Sequence, residues 1–408
     1  MQMKNNTEYK TLKEMGLLIC ALILCLGLFG CTPSQTTSTT GERAVLELVP
    51  PTDWPVFYDD MDSESLEKAC MESLAYLERV PPDRTFTFGE HKRTASEMIT
   101  ALNQLRDILV REPDPRARTE ALKRKFLLFK SIGSDGEGRV LFTGYYEPVL
   151  AARMKPEKPF VYPLYAIPTD LVKIDLRDFG IKADKRHLVA RVYGDKVIPY
   201  YDREEIDFNG VLKEKAEPLA YLADPVEAFF LHIQGSGQVV FKDGSHLRLG
   251  YAGVNGHPYR SIGKLLIQKD LMSLDNMSMQ AIKAFLEEKP ELRREVLSHN
   301  PSYVFFRPLP PRDGPLGCFG KPLTAGRSIA TDRRIFPGLA PAYIVGEIPA
   351  PGGKTAPMGR MVLNQDTGGA IRGPGRVDLY FGSGDQAGSL AGRMKYPGNL
   401  FFLAPKRD

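Results

Sequence analysis

Histidine and cysteine are scarce in this chain. Its 408 residues include only 6 histidines and 5 cysteines, and no Cys-x-x-Cys or His-Glu-x-x-His spacing occurs. Zinc sites are built from these ligands at such spacings. The composition therefore argues against a zinc enzyme, and we expect neither a metal nor a cofactor.

The chain also lacks an excess of charge of either sign. Lys and Arg total 54 against 50 Asp and Glu, a formal net charge of +4. A dedicated nucleic-acid binder carries a strong basic footprint, so no nucleic-acid partner is expected. The glycine-rich segment Gly382–Gly388 superficially resembles a phosphate loop, but no Lys-Ser/Thr pair closes it.

The apolar run Gly16–Gly30 is too short to span a bilayer comfortably. It follows several lysines, a layout typical of an export signal, and it ends in Leu28-Phe29-Gly30-Cys31, which resembles a bacterial lipobox. We therefore predict that residues 1–30 form a lipoprotein signal peptide and that an acylated Cys31 anchors the protein to a membrane. An ordinary signal peptide cut nearby is the alternative.

The residues after Cys31 indicate a flexible tether. Thr32 at the next position favours sorting to the outer membrane, on its periplasmic side. Residues 31–43 are rich in Ser and Thr, which is typical of a linker. Folding is expected to start near Ala44.

Two cysteines remain in the expected mature domain, Cys70 and Cys318. A disulfide between them is one possibility in the periplasm. Cys70, however, falls on the apolar face of a predicted helix, and Cys318 follows Gly317. We favour two buried free thiols.

Hydrophobic periodicity divides the chain into regions. Apolar residues between 62 and 128 recur at helical spacing, whereas from Arg139 onward the period is two. Residues 238–249 predict a hairpin that turns at Asp243-Gly244. Helical spacing returns between 261 and 297, and residues 303–408 predict short strands with glycine turns. This segregated order favours a mainly β, α+β protein with N-terminal helices.

The C-terminal region holds the best candidates for chemistry. Alternation in Val377–Tyr380 places Asp378 and Tyr380 on one face of a strand, and Asp366 is expected on the partner strand, facing the same cleft. A carboxylate beside an aromatic ring suits sugar chemistry, and two like charges would raise one pKa. The simpler interpretation is that both aspartates accept backbone hydrogen bonds in turns.

Several other candidates are interpreted as structural. Ser236 lacks the full Gly-x-Ser-x-Gly frame of a hydrolase nucleophile, and His232 and His257 have no evident carboxylate partner in the sequence. Asp366-Thr-Gly echoes an aspartic peptidase, which needs a second such loop that the chain does not offer.

Four motifs, together with three aspartates, carry a resemblance to a known family. The motifs are Phe142-Thr-Gly-Tyr-Tyr-Glu-Pro148, Asp224 to Gly237, Gly250 to Gly263 and Asn300-Pro-Ser-Tyr303. With Asp332, Asp366 and Asp378, the segment from Thr143 to Leu403 resembles the family of membrane-bound lytic murein transglycosylase A and its C-terminal "three-aspartate" domain.

The resemblance implies a fold of two parts. A double-psi β-barrel domain, formed by residues 44–148 and 306–408, would be interrupted by a second, inserted β-barrel domain over residues 149–305. The glycan would run in the groove between them.

The resemblance also implies roles for particular residues. Asp378 would be the catalytic acid, supported by Asp366 and Asp332. Substrate would be bound by residues from four segments: Tyr145, Tyr146, Glu147, Gln234, Gly235, Ser236, Gly237, Gly368, Gly369 and Tyr380. The implied partner is the peptidoglycan strand, with other cell-wall enzymes as further candidates, and a monomer is expected.

The implied reaction needs only one carboxylate. A hydrolytic glycosidase uses two, whereas in a lytic transglycosylase the muramic sugar's own C6 hydroxyl attacks C1 and leaves a 1,6-anhydro end. Two alternatives are a non-catalytic peptidoglycan-binding lipoprotein and a hydrolytic muramidase, whose product would contain one water more.

Overall fold

The computed structural model of the chain describes residues 45–183, 186–274, 277–311 and 315–407. The predicted signal peptide, Cys31 and the tether lie outside these residues. Within the described ranges, no helix combines the length and the apolar character needed to cross a membrane.

Helices and strands alternate unevenly along the chain. The α-helices are α1 (Ser63–Leu77), α2 (Ala95–Arg111), α3 (Pro115–Lys125), α4 (Arg203–Asp207), α5 (Pro225–Gln234), α6 (Ile262–Gln268), α7 (Met279–Glu288), α8 (Arg293–Ser298) and α9 (Gly384–Arg393). The strands before residue 200 are β1 (Leu46–Leu48), β2 (Thr85–Phe88), β3 (His91–Thr94), β4 (Phe126–Ser131), β5 (Val140–Glu147), β6 (Val149–Ala151), β7 (Tyr162–Tyr165), β8 (Val172–Asp175), β9 (His187–Tyr193) and β10 (Lys196–Pro199). The later strands are β11 (Pro218–Leu222), β12 (Gly237–Val240), β13 (His246–Val254), β14 (Val304–Leu309), β15 (Ser328–Ala330), β16 (Pro341–Pro349), β17 (Thr355–Asp366), β18 (Arg376–Ser383) and β19 (Lys395–Pro405).

The largest sheet closes on itself. Its strands follow the order β1-β4-β19-β16-β17-β15-β18-β5, and β19 also pairs with β5. The pairing of β19 with β5 joins β19, β16, β17, β15, β18 and β5 into a ring, which we call the closed barrel. Closure leaves these strands without a free edge, so their backbone is held on both sides.

The N-terminal helices pack against this barrel through one face each. Leu66, Cys70, Leu74 and Leu77 of α1 are buried, as are Met98, Leu102 and Leu105 of α2. They share one continuous core with the barrel strands. The predicted helical region is thus confirmed, except that β2 and β3 form a hairpin inside it and that Phe126 already begins a strand.

The middle segment, residues 149–309, is built from smaller units. Its sheets follow the orders β10-β9-β8, β11-β7 and β14-β13-β12-β6, and its buried residues form separate clusters. The predicted hairpin is confirmed: β12 and β13 pair antiparallel, with Val240 opposite His246. Gly244 sits in the turn at φ 81°, a conformation that glycine adopts without strain.

The sheet β10-β9-β8 has an unusual distribution of side chains. The register aligns Val172 with Ala190 and Val197 with Val192, which puts apolar side chains on a common face. Val192 and Val197 on this face are 63% and 56% exposed. This part of the middle segment therefore presents apolar surface to solvent.

The closed-barrel region and the middle segment each contain a fully buried arginine. Arg327, just before β15, donates to both carboxylate oxygens of Asp59 at 2.9 and 2.8 Å and to the carbonyl of Met361 at 2.7 Å. Arg203 in α4 donates to the carbonyls of Asn300 and Ser302. Both guanidinium groups satisfy backbone carbonyls and hold together segments that are distant in sequence.

Candidate active site

The two candidate aspartates lie in one row across the closed barrel. Ala330 of β15 is opposite Asp366 of β17 on one side and opposite Asp378 of β18 on the other. Asp378 is in turn opposite Thr143 of β5. The expectation that Asp366 lies on the partner strand of Asp378 is therefore wrong, because β15 runs between the two strands.

A β-bulge at this point fixes the position of Asp366. Ile329 faces Asn364 but Ala330 faces Asp366, so that the register skips Gln365. The Gln365 side chain is buried and bonds to Ser328 Oγ at 2.5 Å and to the Ala69 carbonyl at 2.8 Å. Bulges re-aim neighbouring side chains, and this one leaves Asp366 at the end of β17, toward the cleft.

Asp378 is held by two neighbouring side chains on the same face. Thr143 Oγ1 donates to Asp378 Oδ1. Arg376 Nε donates to the same oxygen at 3.1 Å, and the side chain of Asp378 is 14% exposed. Arg376 lies two residues before Asp378, so the period of a strand already puts them together. Neither Arg376 nor Thr143 is among the site residues predicted from the sequence.

Asp366 has a different environment. Its Oδ2 accepts from the Tyr145 hydroxyl at 3.0 Å and its Oδ1 from the Cys318 backbone N–H at 3.0 Å. Burial raises the pKa of Asp366 to about 6, and the negative charge of Asp378 adds to this rise. The carboxyl group of Asp366 thus holds a proton over part of the population near neutral pH.

Asp332 is separate from the other two aspartates in its contacts. It binds Arg334 through both carboxylate oxygens, at 2.9 and 2.6 Å, and accepts from the Gly373 N–H at 2.9 Å. The hydrogen bonds from Arg334 lower the pKa of Asp332 to about 2. These contacts fix the loop between β17 and β18, consistent with a supporting role.

The three candidate tyrosines divide between two faces of β5 and β18. Tyr145 and Tyr380 contact each other, with ring centroids 5.3 Å apart, although Tyr380 is only 2% exposed. Tyr146 points the other way and packs with Ala387 and Ala391 of α9. Tyr146 therefore does not lie beside Tyr145 and Asp366. It packs against α9 and, with Thr143 and Gln234, lines a separate cavity.

Glu147 is likewise part of a buried network. Its Oε2 accepts from Gln238 at 2.9 Å and from Ser383 Oγ at 2.6 Å, and Arg248 Nε lies 3.4 Å from Oε1. These bonds join the end of β5 to β12, β13 and the end of β18. Glu147 therefore connects the closed barrel to the middle segment and has no exposed surface for a ligand.

The segment Gln234–Gly237 ends α5 next to β5. Gln234 Oε1 accepts from the Tyr146 backbone N–H at 3.2 Å. Gly235 caps the helix at φ 75°, and a Cβ on Gly237 would lie 2.4 Å from Leu231 Cδ1. The left-handed conformation at 235 therefore favours glycine, and a side chain at 237 would displace the Leu231 side chain.

A cleft of about 830 Å³ opens between these elements. The predicted residues that line it are Tyr145, Gln234, Gly235, Ser236, Asp366, Gly368 and Gly369. Asp378, Tyr380, Tyr146, Glu147, Gly237 and Asp332 are not in its lining. Asp378 instead lies in the aligned row, two strands away from Asp366.

The remaining predicted features have structural surroundings. His232 is buried, its Nδ1 accepts from Arg203 at 3.0 Å, and burial holds its pKa well below its usual value. His257 Nε2 donates to the Tyr200 carbonyl at 2.7 Å. Cys70 and Cys318 are free thiols, as favoured, but only Cys70 is fully buried. Partial burial of Cys318 still raises its pKa to about 12. Within the described ranges, no three or more His, Cys, Asp or Glu residues are grouped as metal ligands.

Comparison with known families gives two matches along the chain. Residues 141–307 match the "MltA specific insert domain" and residues 327–404 match the "3D domain". The membrane-bound lytic murein transglycosylase A of Escherichia coli K12 is 36% identical over 278 residues, which cover 66% of this chain and 67% of that protein. The Vibrio cholerae protein of the same name is 35% identical over the same length.

Solved structures agree with these matches. A membrane-bound lytic murein transglycosylase from Agrobacterium tumefaciens superposes with a TM-score of 0.73 at 32% identity, covering 88% of this chain and 97% of that one. E. coli MltA with bound chitohexaose superposes with a TM-score of 0.67 at 28% identity, covering 89% of this chain and 95% of that one.

Proposed function

The chain belongs to the family of membrane-bound lytic murein transglycosylase A, and we propose that Asp378 is the single general acid and base of its reaction. The protein is a peptidoglycan lytic transglycosylase, as its relatives indicate. The observation that carries the assignment is the aligned row of Asp366, Ala330, Asp378 and Thr143 on the closed barrel. Neither a non-catalytic binding protein nor a hydrolytic muramidase is favoured by these relatives.

The proposed reaction needs no second carboxylate. Asp378 donates a proton to the oxygen that links N-acetylmuramic acid to N-acetylglucosamine, and the bond from C1 to that oxygen breaks. The C6 hydroxyl of the muramic sugar then bonds to C1 and gives its proton to the Asp378 carboxylate. No water is consumed, and Asp378 returns to its starting form.

The neighbours of Asp378 fit these two steps. Thr143 and Arg376 orient the carboxyl group, and Arg376 stabilises the anion that remains after proton donation. Tyr145, which lines the cleft beside Asp366, offers a ring for a sugar face. Gln234, Ser236, Gly368 and Gly369 supply polar groups and backbone along the same cleft.

Asp366 is the second candidate for the proton donor. It lines the cleft, and its pKa is raised to about 6, a value suited to a general acid. In the favoured assignment, Asp366 instead keeps a proton in the site and interacts with sugar hydroxyls.

Substitution of each aspartate separates these assignments. Asp378→Asn should reduce the release of 1,6-anhydromuropeptides from sacculi by about 10²–10⁴-fold or more, because Asn cannot donate or accept the proton. Asp366→Asn should lose less activity and shift the pH optimum downward. Mass spectrometry of the products and thermal unfolding of each variant are the measurements.

The control is Asp195→Asn, an exposed aspartate between β9 and β10, which should retain full activity. Near-parental activity in a folded Asp378→Asn protein would overturn the assignment. A total loss in Asp366→Asn with activity retained in Asp378→Asn would transfer the acid role to Asp366.

The finer architecture and location are also part of the proposal. We infer that residues 44–148 and 306–408 form a double-psi barrel domain and that residues 149–305 form the inserted barrel domain. The matches over residues 141–307 and 327–404 support a division into two parts, with slightly different boundaries. The relatives are named membrane-bound, in keeping with a lipid anchor at Cys31 on the outer membrane. Cys31→Ser should then release the protein from the membrane fraction.

A further inference from the structure

The lining of the cleft is strongly unbalanced in charge. Among the described residues, its only carboxylate is Asp366, whereas four arginines line it. Arg203 is fully buried and already bonded to carbonyl groups. The other three, which we call the cleft arginines, are Arg307, Arg333 and Arg372, and all three are exposed.

The cleft arginines come from three different segments. Arg307 belongs to β14 of the middle segment, Arg333 to the turn after β15, and Arg372 to the loop after β17. They therefore border the cleft on the side of the middle segment and on the side of the closed barrel. Residues so far apart in sequence are gathered at one cleft only by the fold.

Each cleft arginine is positioned by weak or neutral contacts. Arg307 Nε lies 3.4 Å from the Tyr251 carbonyl, and Arg372 Nη1 donates to the carbonyls of Gly368 and Ile371 at 3.2 and 3.0 Å. Arg333 lies over the Phe319 ring, 4.8 Å from its centroid. These contacts aim the guanidinium groups but use few of the five N–H donors of each.

No carboxylate of the described part of the chain forms an ion pair with a cleft arginine. Asp366 does not supply this charge, since its oxygens accept from Tyr145 and Cys318. Elsewhere, exposed arginines such as Arg177, Arg294 and Arg407 are each paired with a carboxylate. The cleft thus keeps its positive charge available at the place where a glycan would bind.

We propose that the cleft arginines bind carboxylate groups carried by the glycan strand, so that the preferred substrate is an anionic glycan and not a neutral chitin-like one. This inference rests on the proposed function. A guanidinium group matches a carboxylate with two parallel N–H bonds, and a carboxylate bound at the cleft rim stays partly hydrated, which avoids a large desolvation cost.

Peptidoglycan can supply such carboxylates from two sources. In intact strands the stem peptides carry them, whereas strands stripped of peptide by an amidase expose the carboxylate of the lactyl group on each muramic sugar. Intact strands whose peptide carboxylates have been amidated with a carbodiimide carry neither. Chitohexaose is a neutral ligand for binding only.

The experiment compares Arg307→Gln, Arg333→Gln, Arg372→Gln and the triple variant on these substrates. Each single change should raise KM by about threefold on the anionic strands, and the triple change by about tenfold or more, with kcat little affected. The same variants should bind amidated strands and chitohexaose as the parent does. Higher ionic strength should reduce the difference, because it screens exposed charges.

Arg111→Gln, at the exposed end of α2, is the charge-matched control and should leave KM unchanged. An effect on intact strands alone identifies the peptide carboxylates, and an effect on stripped strands alone identifies the lactyl carboxylate. An equal effect on neutral and anionic ligands, or none on either, would overturn the proposal. Arg372→Lys keeps the positive charge. A KM close to that of the parent in this variant would show that the effect of Arg372→Gln comes from the lost charge and not from a change in loop structure.

Failure of the proposed function would look different. Binding of the parent to insoluble sacculi, measured by sedimentation, does not require turnover. Salt-sensitive binding that depends on the cleft arginines, without any 1,6-anhydro product, would reject the proposed reaction and retain the carboxylate site. Release of 1,6-anhydro products at the same rate from anionic and amidated strands would reject the carboxylate site and retain the proposed reaction.

Discussion

The closed barrel and the middle segment bury their apolar side chains in different ways. The barrel contains long strands, such as the 12 residues of β17 and the 11 of β19, around one core shared with the N-terminal helices. The middle segment has shorter strands, several separate cores and exposed valines on β9 and β10. The aspartate row lies on the region whose backbone is fixed on both sides, whereas Gln234 and Ser236 lie where the middle segment ends a helix. Acid–base chemistry tolerates little displacement, and recognition of a polymer tolerates more.

The two buried arginines also differ between these regions, in the exposure of their acidic partners. Arg327 and its partner Asp59 are 0% and 10% exposed, whereas Arg203 is 1% exposed but its partner Asp207 is 27% exposed. An orphaned Asp59 would be buried without a counter-charge, while Asp207 could be hydrated. The cost of losing each arginine should therefore differ.

Replacement of each arginine by glutamine tests this contrast most directly. Arg327→Gln should lower the free energy of unfolding by about 3–5 kcal/mol, because it leaves a buried charge unpaired. Arg203→Gln should lower the free energy of unfolding by less, about 1–3 kcal/mol, and the middle segment should unfold first. Chemical denaturation measures the totals, and limited proteolysis locates the first cuts.

Proteolytic cuts near the barrel strands in the Arg203→Gln variant would show that the closed barrel and the middle segment unfold as one unit. A larger loss of unfolding free energy in Arg203→Gln than in Arg327→Gln would contradict the predicted contrast. The exposed Arg111→Gln serves as the control and should change stability little.

Two aspartates of the barrel should respond to pH with opposite signs. The pKa of Asp366 is raised to about 6 by burial, so the stability it contributes is present below about pH 4 and is lost as the pH rises through 6. Asp366→Asn should therefore make the barrel more stable at pH 8 by on the order of 2 kcal/mol. Urea titrations at pH 4 and pH 8 give the difference, and a variant that is less stable at pH 8 would contradict it.

The pKa of Asp332 is lowered to about 2 by Arg334, so its contribution is present above about pH 4 and is lost as the pH falls through 2. Asp332→Asn should cost about 1 kcal/mol at pH 7, a small value because Arg334 is largely exposed. The variant and the parent should converge near pH 2 in the same titrations.

Chelation is expected to have the smallest effect. The described residues contain no group of three metal-ligand side chains, and both proposed proton transfers use Asp378 alone. Activity on sacculi should be unchanged after dialysis against EDTA. A loss that one added divalent ion restores would give the aspartates a second role as ligands and would mean that the proposed chemistry on the barrel does not depend on Asp378 alone.

Local patterns in the sequence predicted local structure. The Asp243-Gly244 turn, the apolar faces of α1 and α2 and the shared face of Asp378 and Tyr380 each follow from a period or a turn type. The position of β15 between β17 and β18 could not be predicted in this way, since strand order depends on pairing across long separations. The same limit applies to Tyr146, because which tyrosine of a Tyr-Tyr pair faces the cleft depends on the register of β5.

The candidate site was predicted in part for a related reason. Asp366 and Asp378 were found through their glycine-rich surroundings and the resemblance to a family. The alternation of side chains along a strand also places Arg376 on the face of Asp378, so that Arg376 could have been predicted. The cleft arginines had no local signal at all, since Arg307, Arg333 and Arg372 share neither spacing nor motif.

The partners of β5 have a consequence for the order of assembly. Strand β5 is complete at Glu147, but the described strands that pair with it are β18 and β19, and Thr143 and Asp378 are 235 residues apart. Closing so long a loop is entropically unfavourable and slow, whereas the sheets of the middle segment pair residues that lie much closer together. The middle segment can therefore collapse first and shorten the loop that remains. The row of Asp366, Ala330, Asp378 and Thr143 forms only when the last strands pair. A chain that stops before β18 therefore lacks the aspartate to which we assign the proton transfers.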